Sequence, residues 1–316
     1  MSTLKLFGGR SNIALSQKIS DYLGVPMGNV QIKPFPDGEL LVKIEEDVRG
    51  RDVFFVQPTC GPCVDTSIME LLIFIDCARR ASAERITAVM PYFGYARQDR
   101  KDEGRVPITA KLVANLIATA GSDRVLTIDL HAAQIQGFFD IPVDNLYAEP
   151  VLSRYWSSQN LGELVLVSPD VGNVKRARQY ARRLGGDLAI IDKRRVSGSD
   201  TEVGRLIGDV ENRTVLMMDD MISTAGTVCN AARLCKERGA RRVLVGATHA
   251  VLCGPAIERL REAPIDEVVV TDTIPVEQEK IDGIGKLKVL TVAELIGEAI
   301  HRIHNDESVS SLFLKQ

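Results

Sequence analysis

Asp219 and Asp220 follow the apolar run Val215-Leu-Met-Met218, and after Met221 and Ile222 comes the small-residue stretch Ser223-Thr224-Ala225-Gly226-Thr227. Adjacent carboxylates offer acceptor-only oxygens, which pair with the vicinal hydroxyl donors of a sugar and also hold Mg2+ directly or through water. The stretch that follows, with two Thr hydroxyls and a Gly, suits a different group. Backbone N–H groups at a helix start cradle a phosphate dianion, because unpaired amides and the helix dipole both favour negative charge. Together the two features point to a phosphorylated sugar. In the plainer reading the acids cap a strand and the loop is an ordinary turn. That leaves two carboxylates to be desolvated with nothing bound to them, which is costly.

Such groups need elements to position them. A strand over Arg213–Met218 is expected to deliver the acids to its end, and a helix from Val228 towards Arg238 to follow the loop. The crevice beyond strand C-termini is where open α/β sheets place ligands. Leu126-Thr-Ile-Asp129-Leu-His131 puts Asp129 and His131 on one face by the two-residue strand period, so His131 is either satisfied structurally or touches a metal or phosphate. Val165-Leu-Val-Ser168-Pro169-Asp170 also ends in a carboxylate. Asp170 either caps a helix or joins His131 at a hard cation. Pro34-Phe35-Pro36-Asp37-Gly38-Glu39 lies between two alternating runs and reads as a hairpin tip. Ala189-Ile-Ile-Asp192-Lys193-Arg194-Arg195 precedes Val196-Ser-Gly198-Ser-Asp-Thr, the composition of a mobile flap with cations at its root, as in a lid that closes over phosphates.

The chain has 316 residues, of which 45% are hydrophobic and 26% charged, which is ordinary for a globular protein, shows no disorder-type bias and leaves room for two domains. A net charge of −3 gives no electrostatic reason for a nucleic-acid partner. Within that mildly acidic whole, Arg97, Arg100, Lys101 and Arg105 form one basic cluster and Lys193 to Arg195 another. Neither a secretory signal nor an apolar run of membrane-spanning length is visible, so no membrane partner is expected and a cytoplasmic location is. Of six cysteines, only Cys60-Gly-Pro-Cys63 has a recognisable spacing. Thioredoxin-like motifs share it, but Thr59 stands before the first Cys, and two reduced loop thiols or an incidental metal-binding pair without further ligands are the plainer readings.

Two halves repeat one plan. Asp52–Val56, a loop, a helix Ile68–Arg80 and a strand Ile86–Met90 parallel Arg213–Met218, a loop, the helix Val228–Arg238 and a strand Val243–Ala247. β-branched runs alternating with amphipathic segments indicate βαβ units on parallel sheets. The expected fold is α/β, two duplicated domains each with a mostly parallel central sheet flanked by helices. The first covers residues 1–147 with 301–316 packing back on it, and the second covers 148–300. The first half lacks the Asp-Asp and Thr-x-Gly-Thr elements.

With Phe35-Pro-Asp-Gly-Glu39, Pro91-Tyr-Phe-Gly-Tyr-Ala-Arg97-Gln98-Asp99-Arg100-Lys101, Pro107-Ile-Thr-Ala-Lys111, Asp129-Leu-His131, Ser168-Pro-Asp170, Asp192-Lys-Arg-Arg195 and the Asp219–Thr227 signature in place, the chain resembles the ribose-phosphate pyrophosphokinase family, of the bacterial phosphate-activated type. The resemblance runs over nearly the whole chain and implies phosphoribosyltransferase-type domains. By the same resemblance, Phe35, Asp37 and Glu39 hold adenine from a neighbouring subunit, and Arg97 and Gln98 contact ATP. His131 and Asp170 contact Mg2+, Lys193 and Arg195 serve the transferring group, Asp219 and Asp220 bind the ribose hydroxyls, and Ser223, Thr224, Ala225, Gly226 and Thr227 bind the 5-phosphate. Arg49, Ser308, Ser310 and Phe313 match an allosteric region for phosphate and ADP between subunits of a homohexamer built from dimers.

The implied reaction moves the diphosphoryl group of ATP onto the anomeric hydroxyl of ribose 5-phosphate. No Gly-x-x-x-x-Gly-Lys-Ser/Thr loop is present, which excludes P-loop chemistry. Ser223 stands where family members often carry Asp, and Asn173 and Ala225 where they often carry Gly. Two rivals share the signature: a salvage phosphoribosyltransferase, which needs no ATP segments, and a non-catalytic regulatory subunit, which need not keep the charged residues.

Overall fold

The computed structural model describes residues 3–194, 203–310 and 312. Chain contacts divide it into two units, one holding the chain up to Ala148 with Thr273–Pro275 and the chain from Thr291 on, the other holding Glu149–Asp272 and Val276–Leu290.

The first unit is built from β1 (Leu4–Gly8), α1 (Ile13–Leu23), β2 (Val30–Pro34), β3 (Leu40–Ile44), β4 (Asp52–Val56), α2 (Val64–Arg80), β5 (Arg85–Met90), α3 (Thr109–Ala120), β6 (Arg124–Ile128) and β7 (Val143–Leu146). Its sheet is parallel throughout, in the order β1-β4-β5-β6-β7. Strand β4 is buried along its whole length, so both faces of the sheet are covered, as parallel sheets require. Helix α2 buries Ile68, Leu71, Phe74, Ile75 and Ala78, the three-and-four spacing of a helix with one apolar face. It begins at Val64, a turn earlier than the apolar pattern indicated. β2 and β3 form the expected antiparallel hairpin.

The second unit follows with α4 (Glu149–Ser157), β8 (Leu164–Ser168), α5 (Val174–Leu184), β9 (Asp187–Arg194), β10 (Val203–Ile207), β11 (Thr214–Ile222), α6 (Gly226–Glu237), β12 (Arg242–Ala250), α7 (Ala256–Glu262), β13 (Glu267–Thr271), α8 (Gln278–Ile284) and β14 (Leu287–Leu290). The sheet order is β10-β9-β8-β11-β12-β13-β14, parallel except for the β9–β10 pair. From β8 the chain lays strands outward in one direction through β9 and β10, then returns to β8's other side with β11 and continues the opposite way. The β8–β11 seam is therefore the switch point of the sheet, where open α/β folds leave a crevice at the strand C-termini. Among the described residues the first unit's sheet runs one way from β4 to β7 and has no such reversal.

Helix α9 (Ala293–His304) belongs to the first unit and packs against α1. It is fastened to the sheet by a buried charge cluster. Arg85 grips the fully buried Asp52 with Nε at 2.9 Å and Nη2 at 2.5 Å, donates to the Ile303 carbonyl at 2.8 Å, and His304 Nδ1 lies 2.8 Å from Asp52 Oδ2. Among the described residues no helix is long and apolar enough to cross a membrane.

Candidate active site

Strand β11 does not stop at the acids. It pairs with β8 only over Thr214–Leu216, whereas its pairing with β12 continues to Ile222 opposite Ala250. Asp219 and Asp220 thus sit inside the strand, past the end of the β8 ladder, and one edge of β11 there faces the switch-point crevice. Asn173, from the turn after β8, fills part of the missing ladder. Its Nδ2 donates to the Met218 carbonyl at 2.8 Å and to Asp219 Oδ1 at 3.1 Å. Asp219 Oδ1 also accepts the Asp220 N–H at 2.9 Å. Burial pushes the Asp219 carboxyl up to about 7, helped by a shared hydrogen bond and repulsion from Asp220, with Arg176 opposing. The carboxyl is therefore harder to ionise than an ordinary aspartate, and hydroxyl donors or cations at the pair favour its charged form.

Asp170 is half-buried and its Oδ1 accepts the Asn173 N–H at 2.9 Å. It therefore stabilises the turn that leads into α5, while Asn173 holds the N-cap position itself. The expected cap is one turn early.

The loop after β11 is shorter than the sequence suggested, since α6 starts at Gly226. Ala225 occupies the N-cap with φ 60° and ψ 6°, a left-handed conformation that costs a residue with a Cβ about 1–2 kcal/mol. It offers no capping side chain to the first-turn amides. Three consecutive carbonyls of this loop are tied to one neighbouring segment. Ile222 O accepts Leu252 N at 2.9 Å, Ser223 O accepts Cys253 N at 3.1 Å, and Thr224 O accepts Arg259 Nη1 at 3.0 Å. Leu252 is itself left-handed, at φ 42°. Ser223 Oγ lies 3.3 Å from Cys253 Sγ. Thr224 and Thr227 are exposed.

In the first unit, Arg97, Gln98, His131 and Gln134 line a cleft of about 430 Å³ together with Asp99, Arg100, Asp102 and Pro107. The loop that carries Arg97 is set by close backbone approach: a Cβ on Gly94 would stand 2.4 Å from the Thr59 carbonyl oxygen, and Gly94 N donates to Thr59 Oγ1 at 2.7 Å. Gln98 accepts a hydrogen bond from Thr109 at the start of α3, and Gln134 Nε2 donates to Asp99 Oδ2 at 3.1 Å. Asp129 and His131 do not share a strand face. β6 ends at Ile128 and Asp129 turns left-handed at φ 44°, so its carboxylate turns inward to accept Ala148 N at 3.0 Å, while His131 stays exposed on the cleft.

Phe35, Asp37 and Glu39 cap the β2–β3 hairpin and are exposed, Phe35 at 47%. They are absent from the cleft lining. Arg49 is exposed and donates to Ser82 Oγ at 3.2 Å, and the Ser308 carbonyl accepts from Arg302 at 3.3 Å. Ser310 is exposed near the end of the described chain. Lys193 lies in β9, while Arg195, the flap that follows and Phe313 fall outside the described residues. Cys60 is buried, which drives its thiol up to about 11, and Cys63 is exposed; both are free. A thiol so hard to ionise is a poor nucleophile.

Residues 4–121 match the family model for the N-terminal domain of ribose phosphate pyrophosphokinase, and residues 203–314 match that for the phosphoribosyl synthetase-associated domain. The chain is 60% identical over 316 residues to the ribose-phosphate pyrophosphokinase of Rhodopirellula baltica, covering 99% of each protein. It is 51% identical to that of Campylobacter jejuni, covering 99% of this chain and 100% of the relative. The crystal structure of phosphoribosylpyrophosphate synthetase from Mycobacterium smegmatis is similar with a TM-score of 0.91 and 42% identity, over 96% of this chain and 100% of that one.

Proposed function

The chain belongs to the ribose-phosphate pyrophosphokinase family, and from that membership we infer that it transfers the diphosphoryl group of ATP to the anomeric hydroxyl of ribose 5-phosphate, giving 5-phosphoribosyl 1-diphosphate and AMP. The observation that carries this reading in the molecule itself is the pair Asp219–Asp220 at the β8–β11 switch point, one short loop away from the start of α6. In this reading the carboxylates accept the ribose hydroxyls and the Ser223–Thr227 loop takes the 5-phosphate. Full-length likeness to synthases, including the Arg97–Gln98 and Phe35–Glu39 segments, favours this over a salvage transferase. A purely regulatory subunit would not need the charged set His131, Lys193, Asp219 and Asp220 that this chain retains.

The roles divide by unit. The first unit's cleft, with Arg97 and Gln98, takes ATP, and the exposed hairpin residues Phe35, Asp37 and Glu39 hold the adenine bound to a neighbouring subunit. The second unit carries the sugar site and the flap, whose Lys193 and Arg195 offset charge on the transferring group. Mg2+ is the expected metal. Among the described residues no three His, Cys, Asp or Glu side chains come together to cage an ion. Mg2+ keeps several waters and binds through one or two protein groups plus substrate phosphates; His131 of the first unit and Asp170 of the second are the residues read as contacting it. When bound it neutralises phosphate charge. A homohexamer built from dimers, with phosphate and ADP acting through Arg49, Ser308, Ser310 and Phe313, and a cytoplasmic location complete the proposal.

The test is AMP release from ATP and ribose 5-phosphate in the presence of Mg2+, together with calorimetric titration of ribose 5-phosphate. Mg2+-dependent AMP release and saturable sugar binding are expected. Consumption of phosphoribosyl diphosphate with a free nucleobase and no ATP would instead make it a transferase.

A further inference from the structure

The phosphate loop is held in shape by a segment that none of the chain's recognisable signatures includes. A trans peptide points its C=O and the following N–H in opposite directions, so fixing a carbonyl fixes the aim of the next amide. Ile222 O, Ser223 O and Thr224 O all bond to the stretch from Leu252 to Arg259. Each bond thereby turns the amide of the next residue, Ser223, Thr224 or Ala225, away from the donor that holds the carbonyl. Consecutive amides aimed at one point beside a helix start make an anion-binding nest. Two of the three ties use backbone N–H groups, of Leu252 and Cys253, that any side chains would supply. The third uses a guanidinium, and it fixes the Thr224–Ala225 peptide, which leads into the left-handed Ala225.

We propose that Arg259 is a positioning residue for the sugar's 5-phosphate: through the Thr224 carbonyl it holds the Ala225 amide aimed into the phosphate nest. This rests on the reading that the Ser223–Thr227 loop binds that phosphate. Two further observations fix the guanidinium in place. A Cβ built on Gly226, the first residue of α6, would lie 3.2 Å from Arg259 Nη1, so the group is packed against the helix start. The Arg259 carbonyl accepts Cys229 Sγ at 3.4 Å, which ties α7 to α6 on the same side. A carbonyl bonded to a cation is also polarised, and that makes the amide of the same peptide a better donor.

Arg259→Ala and Arg259→Lys separate this role from general support. Ribose 5-phosphate and ATP are titrated calorimetrically into wild type and both variants, with thermal midpoints read in parallel. Loss of one charge-assisted hydrogen bond predicts that Arg259→Ala weakens ribose 5-phosphate binding by about tenfold or more. ATP affinity and the thermal midpoint should stay near wild type, and Arg259→Lys should recover part of the loss. Unchanged sugar affinity in Arg259→Ala would overturn the proposal, and so would equal losses for ATP, ribose 5-phosphate and thermal midpoint. Should Arg259→Ala fail to fold, Arg259→Lys decides alone: it must bind ribose 5-phosphate more weakly than wild type at unchanged ATP affinity. A wild-type protein that takes up no ribose 5-phosphate would overturn the underlying site instead.

Discussion

Asp219 titrates in the folded protein far above its unfolded value of about 4, because burial and Asp220 oppose its charge. Between about pH 4 and 7 the folded state therefore binds the extra proton, and the protein without substrate loses stability as pH rises through that window. Sugar hydroxyls donate to the ionised pair, so the sign for substrate is the reverse. Affinity for ribose 5-phosphate should rise about fourfold from pH 6.5 to pH 8, the ratio of ionised fractions for a group titrating near 7. Calorimetry across that range checks it, and a flat profile in wild type would remove the hard-to-ionise Asp219 carboxyl from the account. The acids were legible in the sequence because two carboxylates after a buried run have few structural uses. What they touch was not: the Asn173 bond to Asp219 spans 46 positions, and only the sheet order brings those residues together. Asp129 shows the converse, since one left-handed residue at the strand end cancels the two-residue period on which its pairing with His131 rested.

At the scale of elements, the loop and the α9 clamp carry opposite kinds of cost. Replacing Ala225 by Gly relieves about 1–2 kcal/mol of left-handed strain. It also adds roughly 0.5–1 kcal/mol of unfolded-state entropy and loses a buried methyl worth about 0.8 kcal/mol. Ala225→Gly should therefore be near neutral in thermal unfolding. Ala225→Val cannot adopt the conformation without strain and should lower the midpoint by several degrees while weakening sugar binding about tenfold. Equal midpoints for Gly and Val variants would contradict the left-handed assignment. Arg85 presents a different case, because Asp52 is fully buried and Arg85 donates to both of its carboxylate oxygens. Arg85→Met should cost about 3–5 kcal/mol and free α9, read as faster amide exchange over Ala293–His304 than over β4. Neither feature could be read locally. The apolar pattern gave the helices and strands, but β11 runs on to Ile222 only because β12 continues beside it, and Arg85 meets Ile303 across 218 positions.

For the whole molecule, the decisive question is which subunit supplies each part of one reaction centre. Phe35, Asp37 and Glu39 stand exposed on a hairpin and do not line the cleft that holds Arg97, Gln98 and His131. If they serve a neighbour's nucleotide, a subunit defective in the hairpin and one defective in the flap fail for separable reasons. Lys193→Ala removes a charge-stabilising donor and should lower turnover about 10²-fold. Phe35→Ala with Asp37→Ala removes the adenine platform. In a mixed pair, one centre combines the intact Lys193 of one chain with the intact hairpin of the other and works, while the second centre has both lesions. Two-fold pairing of a random equal mixture thus restores about a quarter of the centres. Steady-state AMP release from the two variants, dissociated and reassembled together, should climb to about that fraction of wild type. Activity that stays at the sum of the separate variants would place the hairpin on its own subunit's nucleotide, and the adenine contact would then have to be sought around the cleft itself.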